Sequence, residues 1–164
     1  MYIEGRDGVS LALSPVGYQF LAPATDSWHD LNWLAIDGDI VSPDGDWRFR
    51  EPCMLTDEAV RLGAWLERVG DGEIAPPVPD PDGCLWPDLS FTEPNIAFAV
   101  TSYEGDDVVL RVHLSLESAP PWLDGEARLP LHFWVGCRSS RQDLIVASRT
   151  WMAEIAQYPV RNPS

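Results

Sequence analysis

Asp37 and Asp39 are the first residues in the chain whose type and spacing could do chemistry, since two carboxylates on one strand face can hold a divalent cation. The turn sequence Pro43-Asp44-Gly45 gives them a different use. If Ile40 and Phe49 share the apolar side of that hairpin, Asp37 and Asp39 face Arg48 and Arg50 across the strands. The expectation is then a cross-strand charge ladder and no metal site, with a one-residue bulge at the turn the feature that would break this parity. Asp80, Asp82 and Asp88 are also closely spaced acids, but they lack the Asp-x-Asp-x-Asp-Gly pattern and distal glutamate of a calcium loop. They read as a solvated acidic loop able to face a partner. His113 and His132 fall on the polar side of expected strands, and with Arg111 and Glu117 they outline an acid–base set. No serine elbow, His-Glu-x-x-His or His-x-Glu accompanies them, so both read as surface histidines. His29, in Asp26-Ser27-Trp28-His29-Asp30, reads as a loop residue with no interpretable partner.

The most enzyme-like stretch is Gly136-Cys137-Arg138-Ser139-Ser140-Arg141, where a strand is expected to give way to a helix whose free amides and two arginines could bind an anion. A phosphatase-type Cys-x5-Arg loop needs five intervening residues, and Cys137 and Arg141 enclose only three. Helix capping by the serines accounts for most of the segment. A small anion-binding or enzymatic module at this junction is the alternative reading, and convergence of these side chains in a pocket would distinguish it. No catalytic residue, metal or cofactor is expected. Trp134 differs in kind: it alternates out of the apolar face of its strand beside His132, and a large aromatic on a polar sheet face is an anchor type at interfaces. Such a face could equally pair two copies of the chain as a homodimer.

These groups need elements to position them. Period-two alternation through Tyr2-Ile3-Glu4 and Val9, Leu11 and Leu13 around Arg6-Asp7-Gly8 predicts a hairpin, with a bend at Pro15 to Gly17. Strands are expected over 31–41 and 46–51. Thr56-Asp57-Glu58 reads as a helix start, with Leu55, Ala59, Leu62, Leu66 and Val69 at helical spacing and Gly70 as its stop. Five prolines between Gly70 and Asp88 predict a long surface loop. Alternation then predicts strands through Ile96 to Val100, Val108 to Leu116 and Leu129 to Val135. A second helix starts at Ser139 and Ser140 and carries Leu144, Ser148, Trp151, Met152 and Ile155 on one face. The expected fold class is α+β, a mostly antiparallel sheet of about seven or eight strands with two helices packed on it, forming one domain over 1–164. Its core is expected to include Leu34, Ile36, Ile40, Trp65, Leu66, Phe98, Val100, Leu110, Val112, Leu114, Phe133, Trp151 and Ile155.

Composition sets the sign of the partner. Against 26 acidic residues stand 11 basic ones, all arginine, for a formal net charge of -15 on 164 residues. That balance argues against nucleic acid and anionic membranes and favours a basic partner. Three widely spaced cysteines, Cys53, Cys84 and Cys137, suggest neither a disulfide framework nor a zinc site, and a reducing cytoplasm is the expected location.

The succession Tyr18-Gln19-Phe20, Asn32-Trp33-Leu34, Gly45-Asp46-Trp47, Pro52-Cys53-Met54-Leu55-Thr56 and Trp65-Leu66 resembles the bacterial immunity proteins of the WapI type. Phe91-Thr92-Glu93-Pro94-Asn95 and Pro121-Trp122 are similar to that family's second half, so the resemblance runs from about Tyr18 to Arg161. It implies a cytoplasmic, non-enzymatic protein that binds and blocks a toxin domain, in several cases a nuclease, and it supplies no catalytic residues. Under that implication the acidity matches a basic toxin domain as partner.

Overall fold

The computed structural model describes residues 1–20 and 27–163. Among these, eight strands fall into two antiparallel sheets of four, accompanied by three α-helices, which is the expected α+β class. Sheet A runs β1 (Tyr2–Glu4), β2 (Ser10–Tyr18), β3 (Trp33–Val41) and β4 (Trp47–Leu55) in sequential order, and sheet B runs β5 (Leu89–Ser90), β6 (Ile96–Glu104), β7 (Asp107–Leu114) and β8 (Trp134–Ser140) likewise. Strands that follow one another in the chain are neighbours in each sheet, so each is a meander, with residues 115–133 forming a long connection between β7 and β8. The expected bend in β2 appears as a register shift between Pro15 and Gly17, where proline has no amide to give the ladder. Sheet A meets sheet B through the loop after β1, where the Arg6 amide donates to the Arg138 carbonyl at 2.8 Å.

Helices α2 (Thr56–Asp71) and α3 (Arg141–Ile155) pack on each other and into the sheets. Their contact is close because Gly63 leaves room for it: a β-carbon there would collide with the side chain of Met152. Buried polar groups pin the crossing, with Trp151 Nε1 donating to the Ala59 carbonyl at 2.7 Å and Ser148 Oγ donating to the Gly63 carbonyl at 2.8 Å. One continuous hydrophobic cluster draws on both sheets and both helices. It contains every expected core residue except Phe133, which is partly buried against it.

Several boundaries differ from the sequence reading. Residues 28–32 form a short helix, α1 (Trp28–Asn32), so β3 begins at Trp33 and His29 is helical, its ring edge-on to Trp28. Asp26, read as part of that loop, lies outside the described residues. Thr56 does not cap α2. Leu55 holds the cap position, its amide donates to the Glu58 carboxylate at 3.0 Å, and the Thr56 hydroxyl turns away to donate to Asn32 Oδ1. Gly70 is buried inside the helix, which ends at Gly72 in the left-handed conformation (φ 78°) that glycine adopts without strain. The largest departure is at Leu129 to Val135. After a 3-10 turn (Gly125–Arg128), residues 129–133 run through a bend and turns, because Pro130 has no amide for a ladder and Leu131 adopts φ 71°. Strand β8 instead starts at Trp134 and continues through Ser140, so the segment taken as a strand–helix junction is mostly strand.

Candidate functional site

The hairpin of β3 and β4 pairs Asp37 with Arg50 and Asp39 with Arg48, as the parity argument required. Arg50 Nε lies 2.5 Å from Asp37 and Arg48 Nη2 2.7 Å from Asp39. The Arg50 hydrogen bond holds the Asp37 carboxyl below the usual carboxylate range. An open depression of about 650 Å³ lies over this ladder, but its acids are already neutralised within the sheet.

At Cys137 the chemistry points away from catalysis. Its side chain is 1% exposed, and burial, reinforced by Asp7, pushes the thiol up to about 12, so the thiolate a nucleophile requires is suppressed. The flanking arginines do not converge on it. Arg138 pairs with Glu104 and Asp107, and Arg141 Nε donates to the Gly70 carbonyl at 2.8 Å. A recess of about 520 Å³ beside the start of α3 does hold Arg6 and Arg141, but it is lined equally by Asp71 and Asp106 and excludes Cys137. Ser140 caps α3 as expected, accepting from the Asp143 amide at 3.0 Å.

Of the residues expected to face a partner, His113 and Trp134 lie on one side of sheet B. Cross-strand register sets Ala97, His113 and Trp134 in one row and Ala99, Arg111 and Gly136 in the next. Trp134 is 44% exposed, with the Arg111 guanidinium stacked 4.1 Å from its ring, and His132 is exposed in the preceding turn. His113 is not a surface residue. It is 2% exposed, both ring nitrogens lack hydrogen-bond partners, and burial, with Arg111 adding to it, pushes its pKa down to about 4. The alternation that identified it as polar-side was right. What failed was the assumption that this side is solvated, for Ala97 and Ala99 of β6 are buried there too.

The acidic loop is more structured than its composition suggested. Asp80 Oδ1 accepts from the amides of Asp82 at 3.1 Å and Cys84 at 2.8 Å, and Asp80 Oδ2 accepts from Trp86 Nε1 at 3.0 Å. These bonds, the Cys84 amide first, hold the Asp80 carboxyl below its ordinary range. Asp88 Oδ2 accepts from the Val100 amide of β6 at 2.7 Å, while Asp82 stands exposed. Trp86 was not singled out from the sequence, although its place in a proline-rich loop outside any expected strand or helix was the available signal. A further acidic feature also escaped sequence reading: Glu51, Glu93 and Glu117 line a recess of about 290 Å³ with Trp33 and Asn95. Partial burial, and then Glu117, raise the pKa of Glu51 there. It was invisible because β4, the segment before β6 and the turn after β7 are far apart in sequence.

Among the described residues, no group of three His, Cys, Asp or Glu side chains is placed to hold a metal ion, and no helix is long and apolar enough to cross a membrane. A family model, that of the immunity protein WapI-like family, matches residues 2–159. The chain belongs to that family. Comparisons with curated proteins and with solved structures return no match. For a WapI-like immunity protein, whose family role is toxin neutralisation, the surface that matters is one that meets another protein. The exposed aromatic and acidic groups of sheet B and of the loop before it are the candidates for that surface.

Proposed function

We propose that this protein is a cytoplasmic, non-enzymatic immunity protein that binds a basic toxin domain and blocks it by occupying the toxin's positively charged surface. The observation that carries this reading is how the arginines are used. Ten of the eleven have internal partners: Arg6, Arg48, Arg50, Arg61, Arg68 and Arg138 pair with acids, Arg111 stacks on Trp134, Arg128 and Arg141 donate to carbonyls, and Arg161 lies over Tyr18. Asp44, Asp46, Asp57, Glu67, Asp71, Asp82, Asp106, Asp124 and Glu126 are exposed and form no ion pair among the described residues. The outward field is therefore negative in fact as well as in formal charge, which suits docking onto a basic groove such as a nuclease presents to its substrate.

The partner-facing residues proposed are Trp134 and His132 at one edge of sheet B and Asp80, Asp82 and Asp88 in the loop leading to its other edge. Strands β5 and β8 are three spacings apart, about 14 Å, so one interface of ordinary size covers both. Co-expression with its cognate toxin domain is expected to restore growth, and Trp134→Ala to weaken rescue more than Asp82→Ala. Unrestored growth with the unaltered chain would defeat the proposal.

A further inference from the structure

The loop between α2 and β5 is braced by hydrogen bonds and exposes apolar side chains. Residues 71–88 contain five acids, five prolines and no basic residue. Each proline fixes one backbone torsion, which lowers the entropy lost when the loop is held. The loop is fastened at both ends and in the middle: Tyr103 donates to the Ile74 carbonyl at 2.9 Å, Asp88 accepts from Val100, and Leu85 is 8% exposed. Between these points the Asp80 amide donates to the Cys84 carbonyl at 2.9 Å and the Gly83 amide donates to the Asp80 carbonyl at 2.9 Å. Val78 and Trp86 lie on either side of that turn in the chain. Both are exposed, at 87% and 56%.

Ordinary surface loops do not hold a tryptophan this way. The Asp80 carboxylate takes the indole N–H, so covering Trp86 with a partner strands no donor, and the ring is oriented before it binds. Asp80 is itself saturated by three bonds and stays ionised, leaving Asp82 as the exposed charge beside the ring.

We infer that the loop knuckle carrying Val78 and Trp86 is the main anchor of the complex, and that the tethered Trp86 inserts into an apolar socket rimmed by Lys or Arg on the toxin domain. This rests on the immunity reading above and names its contact. Charge complementarity selects that occupant over a second copy of this chain, whose surface is predominantly acidic. Trp134 already has Arg111 stacked on its ring and contributes less.

The test is binding of the purified, inactivated cognate toxin domain to the unaltered protein and to Trp86→Ala, Trp134→Ala and Asp80→Asn. Trp86→Ala is expected to weaken affinity by about 30-fold or more, almost all of it in faster dissociation. Asp80→Asn, which keeps the ring but loosens its tether, should fall between Trp86→Ala and the unaltered protein, and Trp134→Ala should lose less than Trp86→Ala. Unaltered binding accompanied by a loss of under about 3-fold in Trp86→Ala overturns the anchor and leaves the immunity reading standing. Absence of binding by the unaltered protein overturns both, and a solution mass that doubles without toxin and returns to monomer in Trp86→Ala assigns the knuckle to self-association instead.

Discussion

Sheets A and B have the same strand number and the same sequential order, yet they treat their polar faces differently. Sheet A pairs the two acids at the centre of its outer face with arginines, through Asp37–Arg50 and Asp39–Arg48. Sheet B buries Ala97, Ala99 and His113 on the corresponding side and leaves polar atoms of Arg111, His113 and Ser115 without partners. Trp134 stands at its edge, and the acidic, proline-rich loop leads into β5 at the other. A sheet whose central acids are paired internally needs no partner to neutralise them. One that spends stability on unpaired buried groups beside exposed aromatics is where function is expected to reside.

The contrast is confined to the outer faces if the inner faces share one core, and truncation tests that with the largest effects. Leu13→Ala in sheet A and Leu114→Ala in sheet B, both 0% exposed, should each cost about 2–5 kcal/mol in denaturant unfolding. A single transition should be kept in both variants. Two separated transitions, or a loss near the roughly 0.5 kcal/mol of surface substitutions for either leucine, would divide the sheets into independent units.

His113 sharpens the difference next. Its pKa is near 4 folded against 6.5 for an ordinary histidine, so between those values the unfolded chain binds more protons and folding weakens as pH falls. At 1.36 kcal/mol per unit, the full loss is about 3 kcal/mol by the bottom of that window. His113→Leu should remove this part of the pH dependence and leave stability at pH 7 equal or higher, since no hydrogen bond is lost. An unchanged pH profile between 6.5 and 4 would show that His113 is solvated or paired.

The smallest effect belongs to the ladder. Asp37 and Arg50 are both substantially solvent-exposed, so alanine at either position should shift the unfolding midpoint less than any change above, and salt should erase even that. A coupling that persisted at high salt would mean that sheet A depends on its charges in a way its exposure does not suggest.

The same contrast governs what sequence could reveal. The β3–β4 hairpin of sheet A was legible face by face, because one face is solvated and alternation marks the faces plainly: Ile36 and Ile40 inward, Asp37 and Asp39 outward, although β4 runs on past the expected Glu51 to Leu55. In sheet B the alternation was equally clear, but both faces of β6 are buried, and a polar residue such as His113 on the second face was mistaken for a surface one. The misread strand at Leu129 to Val135 has the same origin in local pattern, where alternating leucines outweighed Pro130. Family membership was readable from short motifs distributed along the chain. The Asp80–Trp86 tether and the recess of Glu51, Glu93 and Glu117 were not, since each depends on the fold to bring separated groups into contact.

Neutralisation by charge-steered docking is the central claim, and association kinetics with the inactivated toxin domain test it most directly. Stopped-flow mixing across ionic strength should show the association rate falling by about tenfold or more from low to physiological salt, as screening shortens to about 8 Å, while dissociation changes far less. An association rate indifferent to salt would contradict the account, because a surface carrying this unpaired negative charge could then not be the one that meets the toxin.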